Sequence, residues 1–351
     1  MLNYLNLKIM KVRFFPTKSE TILYDKRFEK EFNFFNNSNY SCLCIRREEI
    51  YLIPLLRAVF LLIIKKIKRK DLKFYYNKFN LSFCKPKKVI NLTDTDLTFV
   101  RLASFFESTK FILIQNSYRN NSFYFPYKLK KTDLLITNNP LQKYDVCVNQ
   151  KYLGTFKYNN LKHLEKTDLF ENNFIFISQY RDRYIIERFY NDFKFFYKSE
   201  KKLLPKLSEL ISDNYNKKLF FKSSYRNFIS FSKNDEYDFF NKMSLLKISM
   251  SNNEIFHRYD ENIYFSIDST MVFELLSLKK KILVYPHRNI YNEHSHSEVW
   301  DLFKKELPEI VVSNDLSDLK SKIDNILNMS SKDYYKLISK FIPLKFLKSL
   351  N

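Results

Sequence analysis

Glycine is almost missing from this 351-residue chain, which has Gly154 and no other. That excludes both glycine-dependent phosphate loops, the dinucleotide fingerprint and the P-loop, because each needs several glycines at fixed spacing. It also means that backbone positions with φ > 0 must be filled by Asn, Asp or Ser, which tolerate them less well. Alanine is nearly as scarce, at Ala58 and Ala103, while Lys, Asn, Ile, Phe and Tyr abound. Such a profile fits an AT-rich coding sequence better than a functional demand.

Cysteine is also sparse. Cys42, Cys44, Cys84 and Cys147 form no disulfide framework, and Cys42 and Cys44 stand too close together for the usual zinc spacing. No signal peptide is recognised before Lys11, so a reducing cytoplasm is the expected setting. Long apolar runs are missing too. The best, Ile50 to Ile64, is short of a membrane span and contains Pro54 and Arg57. It reads as a helix within 50–70 that ends in the basic run Lys65, Lys66, Lys68, Arg69 and Lys70. Shallow, peripheral contact with an anionic membrane through Leu61 to Lys70 is compatible with that pattern.

Negative charge is in deficit: 60 Lys and Arg against 38 Asp and Glu leave a net charge of +22. The excess is spread along the chain, without zinc-finger, basic-zipper or RNA-binding signatures. It reads as attraction to anions, phosphorylated substrates among them, and no specific nucleic-acid partner is expected.

What the chain does have is 45% hydrophobic and 18% aromatic residues, enough for two globular domains of ordinary size. The clearest unit is 261–288. An apolar strand, Ile263 to Ile267, leads into Asp268, Ser269 and Thr270, all good N-cap types. A helix with apolar Val272, Phe273, Leu275, Leu276 and Leu278 follows, and a second strand spans Ile282 to Tyr285. Earlier, strands are expected at 88–92, 111–114, 134–137 and 145–148, with a helix at 97–108. The polar stretch 152–164 reads as a break, and a second series begins with the strand at 174–178. Strands alternating with helices predict an α/β fold with two Rossmann-like parallel-sheet domains facing across a cleft.

Three polar loops follow strand ends, where such sheets hold ligands. The first joins Thr93, Asp94, Thr95 and Asp96 with Gln115, Asn116, Ser117 and Arg119. The second is Ser178 to Arg183, and the third is Asp268 to Thr270 with Glu274. Hydroxyls suit a diphosphate, Arg181 or Arg183 can pair it bidentately, and Glu274 can accept from ribose hydroxyls. Asp94 or Asp96 can take a proton from an attacking hydroxyl. Asp94 is preferred, because Asp96 is placed to cap the helix starting at Leu97, and His287 is the next candidate. His287, Glu293, His294 and His296 lack metal-site spacing on one helical turn; they read as a polar loop, and neither a metal nor a cofactor is assigned.

These residues carry a resemblance. I-D-S-T-M-V-F-E-L-L-S-L-K-K-K-I-L-V-Y resembles the signature of bacterial surface-carbohydrate biosynthesis transferases, a strand, Ser-Ser/Thr, a spacer, Glu, Lys-Lys and a second strand. F-I-L-I-Q-N-S-Y-R, Y-L-G-T-F-K-Y-N-N and F-I-F-I-S-Q-Y-R-D are similar to three further segments of that family, in order, over about residues 88–290. Ser117, Met271-Val272 and Lys280 depart from it. The family is similar to the GT-B group of two-Rossmann-domain transferases, with polysialyltransferases and glycerol-phosphate polymerases as relatives. The resemblance implies an acceptor domain at 1–160, a nucleotide-donor domain at 161–330, and a C-terminal helix within 331–351 that crosses back. It places Ser269, Thr270 and Glu274 at the donor nucleotide, and Gln115, Asn116 and Arg119 on the facing loop. It implies glycosyl transfer from a nucleotide-sugar donor to a glycan or lipid-linked glycan acceptor, in a surface polysaccharide or lipopolysaccharide. The alternatives are transfer of a polyol phosphate from a cytidine-activated donor, or a non-catalytic homologue that binds a partner.

Overall fold

The computed structural model describes residues 11–29, 32, 39–45, 49–94, 96–115, 132–137, 140, 143–154, 173–178, 180, 198–222, 232–247, 262–267, 269, 271–285 and 307–342. The chain divides into two compact units, one running through Asn160 and the other beginning at Leu161.

In the first unit, strands β1 (Lys11–Arg13) and β4 (Glu49–Tyr51) form a small parallel pair of their own. The main sheet contains β2 (Thr21–Leu23), β3 (Ser41–Cys42), β5 (Lys88–Asn91), β6 (Lys110–Ile114), β7 (Thr132–Thr137) and β8 (Cys147–Tyr152). Its order is β3-β2-β5-β6-β7-β8, and every pairing is parallel. The inner strands are apolar on both faces, as expected of a sheet covered on both sides. Ile22, Val89, Phe111 and Leu113 pack to one side, with helices α2 (Leu72–Cys84) and α3 (Leu97–Ala103). Leu23, Ile90, Ile112, Ile114 and Ile136 pack to the other.

Three boundaries differ from the sequence expectation, each for a local reason. The helix expected over 50–70 is α1 (Leu52–Ile63), because Glu49–Tyr51 is drawn into pairing with β1. The helix expected over 97–108 stops at Ala103, where the Ser104 hydroxyl donates to the Arg101 carbonyl at 2.7 Å. The last strand of the sheet begins at Cys147 and runs on through polar residues, which an edge strand accommodates because one of its sides faces water.

The second unit holds β9 (Phe174–Ile177), β10 (Leu219–Lys222), β11 (Leu246–Lys247), β12 (Ile263–Ser266) and β13 (Lys281–Val284) in the parallel order β11-β10-β9-β12-β13. A parallel bridge from Val284 to Val312 adds a rudimentary sixth position. Helix α4 (Lys198–Tyr215) buries Leu203, Leu204, Leu207 and Ile211. Helix α5 (Ser232–Asn241) places Phe240 on Phe221, with ring centroids 4.6 Å apart. Helix α6 (Met271–Ser277) buries Val272, Phe273, Leu275 and Leu276. Helices α7 (Leu316–Asn328) and α8 (Ser331–Leu337) close the unit. The Tyr334 hydroxyl donates to the Lys280 carbonyl at 3.0 Å and accepts from the Ile282 amide at 3.1 Å, which fastens α8 to β13. Residues 331–342 belong to the second unit, and the rest of 331–351, the stretch expected to cross back to the first, lies outside the described residues.

The two sheets establish two Rossmann-like α/β units. Scarcity of glycine leaves a mark on both. Among the described residues positive φ falls on Gly154 and on five others, Lys65, Lys85, Asn216, Ser244 and Lys279, each of the five just past a helix. Lysine, not foreseen for this role, fills three of the five. At Lys279 its amide donates to the Leu276 carbonyl and that of Lys280 to Leu275, a Schellman ending normally built with Gly. The Lys279 ammonium lies over the Tyr335 ring, 5.2 Å from its centroid, a contact that offsets part of the left-handed cost.

Candidate functional site

Where a parallel sheet reverses its order, the two flanking strands send their loops apart, and the crevice left there is the usual ligand position of open α/β sheets. The first sheet reverses between β2 and β5, the second between β9 and β12.

At the first reversal, Asp25 follows β2 and caps a short 3-10 turn, Lys26–Phe28, by accepting from the Arg27 amide at 3.1 Å. Its other oxygen accepts from the Thr93 hydroxyl, beyond β5, at 2.9 Å. The Arg27 guanidinium donates to that same Thr93 oxygen at 3.3 Å and stands 3.8 Å from Asp25. The Thr93 amide donates to Asn91 Oδ1 at 2.9 Å, and Asn91 Nδ2 donates back to the Thr93 carbonyl at 3.0 Å. Five hydrogen bonds therefore hold the two strand exits. The next residue, Asp94, is buried. Gln115, past the neighbouring strand β6, is buried as well, and its backbone N–H donates to the Ile136 carbonyl at 2.8 Å. Asp96 is committed to α3, where its side chain accepts from the Thr98 amide at 3.0 Å. Behind this loop, burial pushes the Tyr24 hydroxyl well above its usual pKa; the Asp96 charge acts the same way and the Asn77 hydrogen bond opposes it.

At the second reversal, Phe265 pairs with Phe176, so Ser178 and Ser269 leave one edge of the sheet two and four residues later. The Ser178 hydroxyl donates to Glu236 on α5 at 2.6 Å and accepts from the Tyr180 amide at 3.0 Å. Ser178 thus ties the β9 exit to α5. The Ser269 amide donates to the Ser266 hydroxyl at 3.0 Å, and its own hydroxyl accepts from the Met271 amide at 3.3 Å. Glu274 sits on α6 and is buried.

Ser178 and Ser269 are thereby brought to one edge of the second sheet, and Asp94 and Gln115 to one edge of the first. Asn116, Arg119, Arg181, Thr270 and His287 lie outside the described residues. Among the described residues no group of three His, Cys, Asp or Glu is placed to hold a metal ion. Asp25, Arg27 and Glu236 were not picked out from the sequence. Asp25 and Arg27 follow a strand of only three residues, too short to show a pattern, though D-K-R after T-I-L-Y is the signal that was there. Glu236 reaches Ser178 across 58 positions, a contact that no local pattern reveals.

No protein-family model matches the chain, and no curated protein is similar to it in sequence. Among the solved structures that resemble it in backbone path are the following three. The wall teichoic acid polymerase TagF is 12% identical, with a TM-score of 0.43 over 92% of this chain and 82% of that one. A UDP-N-acetylglucosamine 2-epimerase from Listeria monocytogenes is 11% identical, with a TM-score of 0.48 over 92% and 91%. MnaA of S. aureus, solved with UDP, is 13% identical, with a TM-score of 0.49 over 93% and 92%.

Proposed function

We propose that this chain is a glycosyltransferase that moves a sugar from a nucleotide-activated donor to a glycan or lipid-linked glycan in a surface polysaccharide or lipopolysaccharide. The observation that carries this reading is the second sheet's reversal, which gathers Ser178 and Ser269 from segments far apart in the chain. Sheets of this order hold nucleotides there. The sequence resemblance gives the same segment, with Thr270 and Glu274, to the donor. The first unit would then receive the acceptor, and in an inverting transfer Asp94 would take the proton of the attacking hydroxyl as the nucleoside diphosphate leaves. The ties at Asn91 and Thr93 would hold that carboxyl group in one orientation.

Thermal shift and titration calorimetry against uridine, guanosine and cytidine diphosphates and cytidine monophosphate test the reading. One of these should stabilise the chain. Replacing Ser269 and Thr270 together by Ala should weaken its binding by about tenfold or more, the loss of one charged hydrogen bond. Absence of binding by all four, or affinity unchanged in the folded double variant, would overturn it.

A further inference from the structure

Helix α1 has the sequence L-I-P-L-L-R-A-V-F-L-L-I, apolar on nearly every side. A helix of that composition is normally buried all round. This one buries Pro54 and Ala58, which lie on one side of it, and packs against α2. The opposite side stays in water: Leu56 is 53% exposed, Phe60 60% and Ile63 71%. Their spacing of four and then three residues makes one stripe along the helix. At its N-terminal end the Ile53 amide donates to the Phe14 carbonyl at 3.1 Å, so β1 brings two more exposed apolar residues alongside, Val12 and Phe14. At its other end Lys65, Lys66, Lys68, Arg69 and Lys70 are all exposed. No Asp or Glu occurs between Leu52 and Lys70, and the next acid, Asp71, is already bonded to Arg101 at 3.0 Å.

We propose that this face of the first unit docks on an anionic lipid bilayer, with the Leu56-Phe60-Ile63 stripe and Phe14 entering the headgroup boundary and the lysine run reaching lipid phosphates. Protein interfaces are depleted in Lys, whereas an apolar helix face bordered by clustered cations is what anionic membrane surfaces recruit. Twelve residues give a helix about 18 Å long, suited to lying in the surface and too short to cross it. Among the described residues no helix is long and apolar enough to span a membrane. The docking face extends the Leu61–Lys70 segment seen in the sequence to the far side of α1 and to β1. It stands independently of the proposed catalysis.

Sedimentation of the full chain with vesicles tests it. Binding should be found on phosphatidylcholine vesicles containing phosphatidylglycerol, not on phosphatidylcholine alone, and should weaken as salt is raised. Phe60→Ser with Ile63→Ser, which leaves the charge unchanged, should lower it by about tenfold or more, as should Lys65→Gln with Lys66→Gln and Lys68→Gln. Phe60→Trp should shift its emission to the blue on those vesicles, after subtraction of the native Trp300 signal. No binding to anionic vesicles, or binding by either set of variants as strong as that of the native chain, would overturn the proposal. So would a concentration-dependent dimer that Phe60→Ser abolishes, since a second copy would then cover the face.

Discussion

At the first sheet's reversal two carboxyl groups, a guanidinium and a threonine lie within one hydrogen-bonded cluster or directly beside it; at the second, among the described residues, the polar groups leaving the strands are Ser178 and Ser269, with Glu236 bonded to Ser178 and Glu274 buried on α6. The sheets reverse in different orders as well, one strand beyond the reversal in the first and two in the second. The crevice recurs because right-handed crossovers on a parallel sheet create it. Its chemistry does not recur, because the fold constrains the loops' position and leaves their side chains open. A charged cluster suits proton transfer, and hydroxyls suit phosphate and sugar oxygens. On the proposed function the two units divide the work along that line.

The sharpest way to break this division is at Asp94. Asp94→Asn should lower turnover by about 10²–10⁴-fold while nucleotide affinity stays nearly unchanged, read from initial rates and calorimetry on one preparation. Loss of nucleotide binding would mean that Asp94 positions a loop and that the two reversals do not divide the roles.

A smaller contrast is in stability. Asp25→Ala removes an acceptor used by the Arg27 amide and the Thr93 hydroxyl, and should cost about 3 kcal/mol. Ser178→Ala removes a single hydroxyl and should cost about 1–2 kcal/mol. Urea denaturation of both variants measures the difference, and equal losses would erase the distinction between a carboxylate that accepts twice and a hydroxyl that donates once.

The smallest effect tests what the units share. Lys65→Gly in the first and Lys279→Gly in the second should each raise stability by about 1 kcal/mol, because glycine adopts the left-handed position without the side-chain clash. Denaturation midpoints that fall instead would show that side-chain contacts of these lysines, such as that of Lys279 with the Tyr335 ring, outweigh the backbone cost.

Legibility followed burial. Strands such as Phe174–Ile177 and Lys110–Ile114 stood out because sheets covered on both faces demand unbroken apolar runs. Asp96 was readable as a cap because the helix after it announces itself at Leu97. Thr21–Leu23 and Ser41–Cys42 were not, since two or three residues carry no period, and Asp25 was lost with them. Ser178 was readable as a loop residue after a strand, but its bond to Glu236 was not.

The amino-acid sequence by itself determined the alternation of strands and helices, the break between the two series, and the lack of any glycine phosphate loop, because each depends on neighbours in the chain. The strand orders, the reversal points, the burial of Asp94 and the exposed side of α1 were decided only by tertiary structure. Each depends on which distant segment packs against a residue, and local pattern holds no information about that: Leu56 and Ala58 belong to the same apolar run, and only the position of α2 puts one in water and the other in the core.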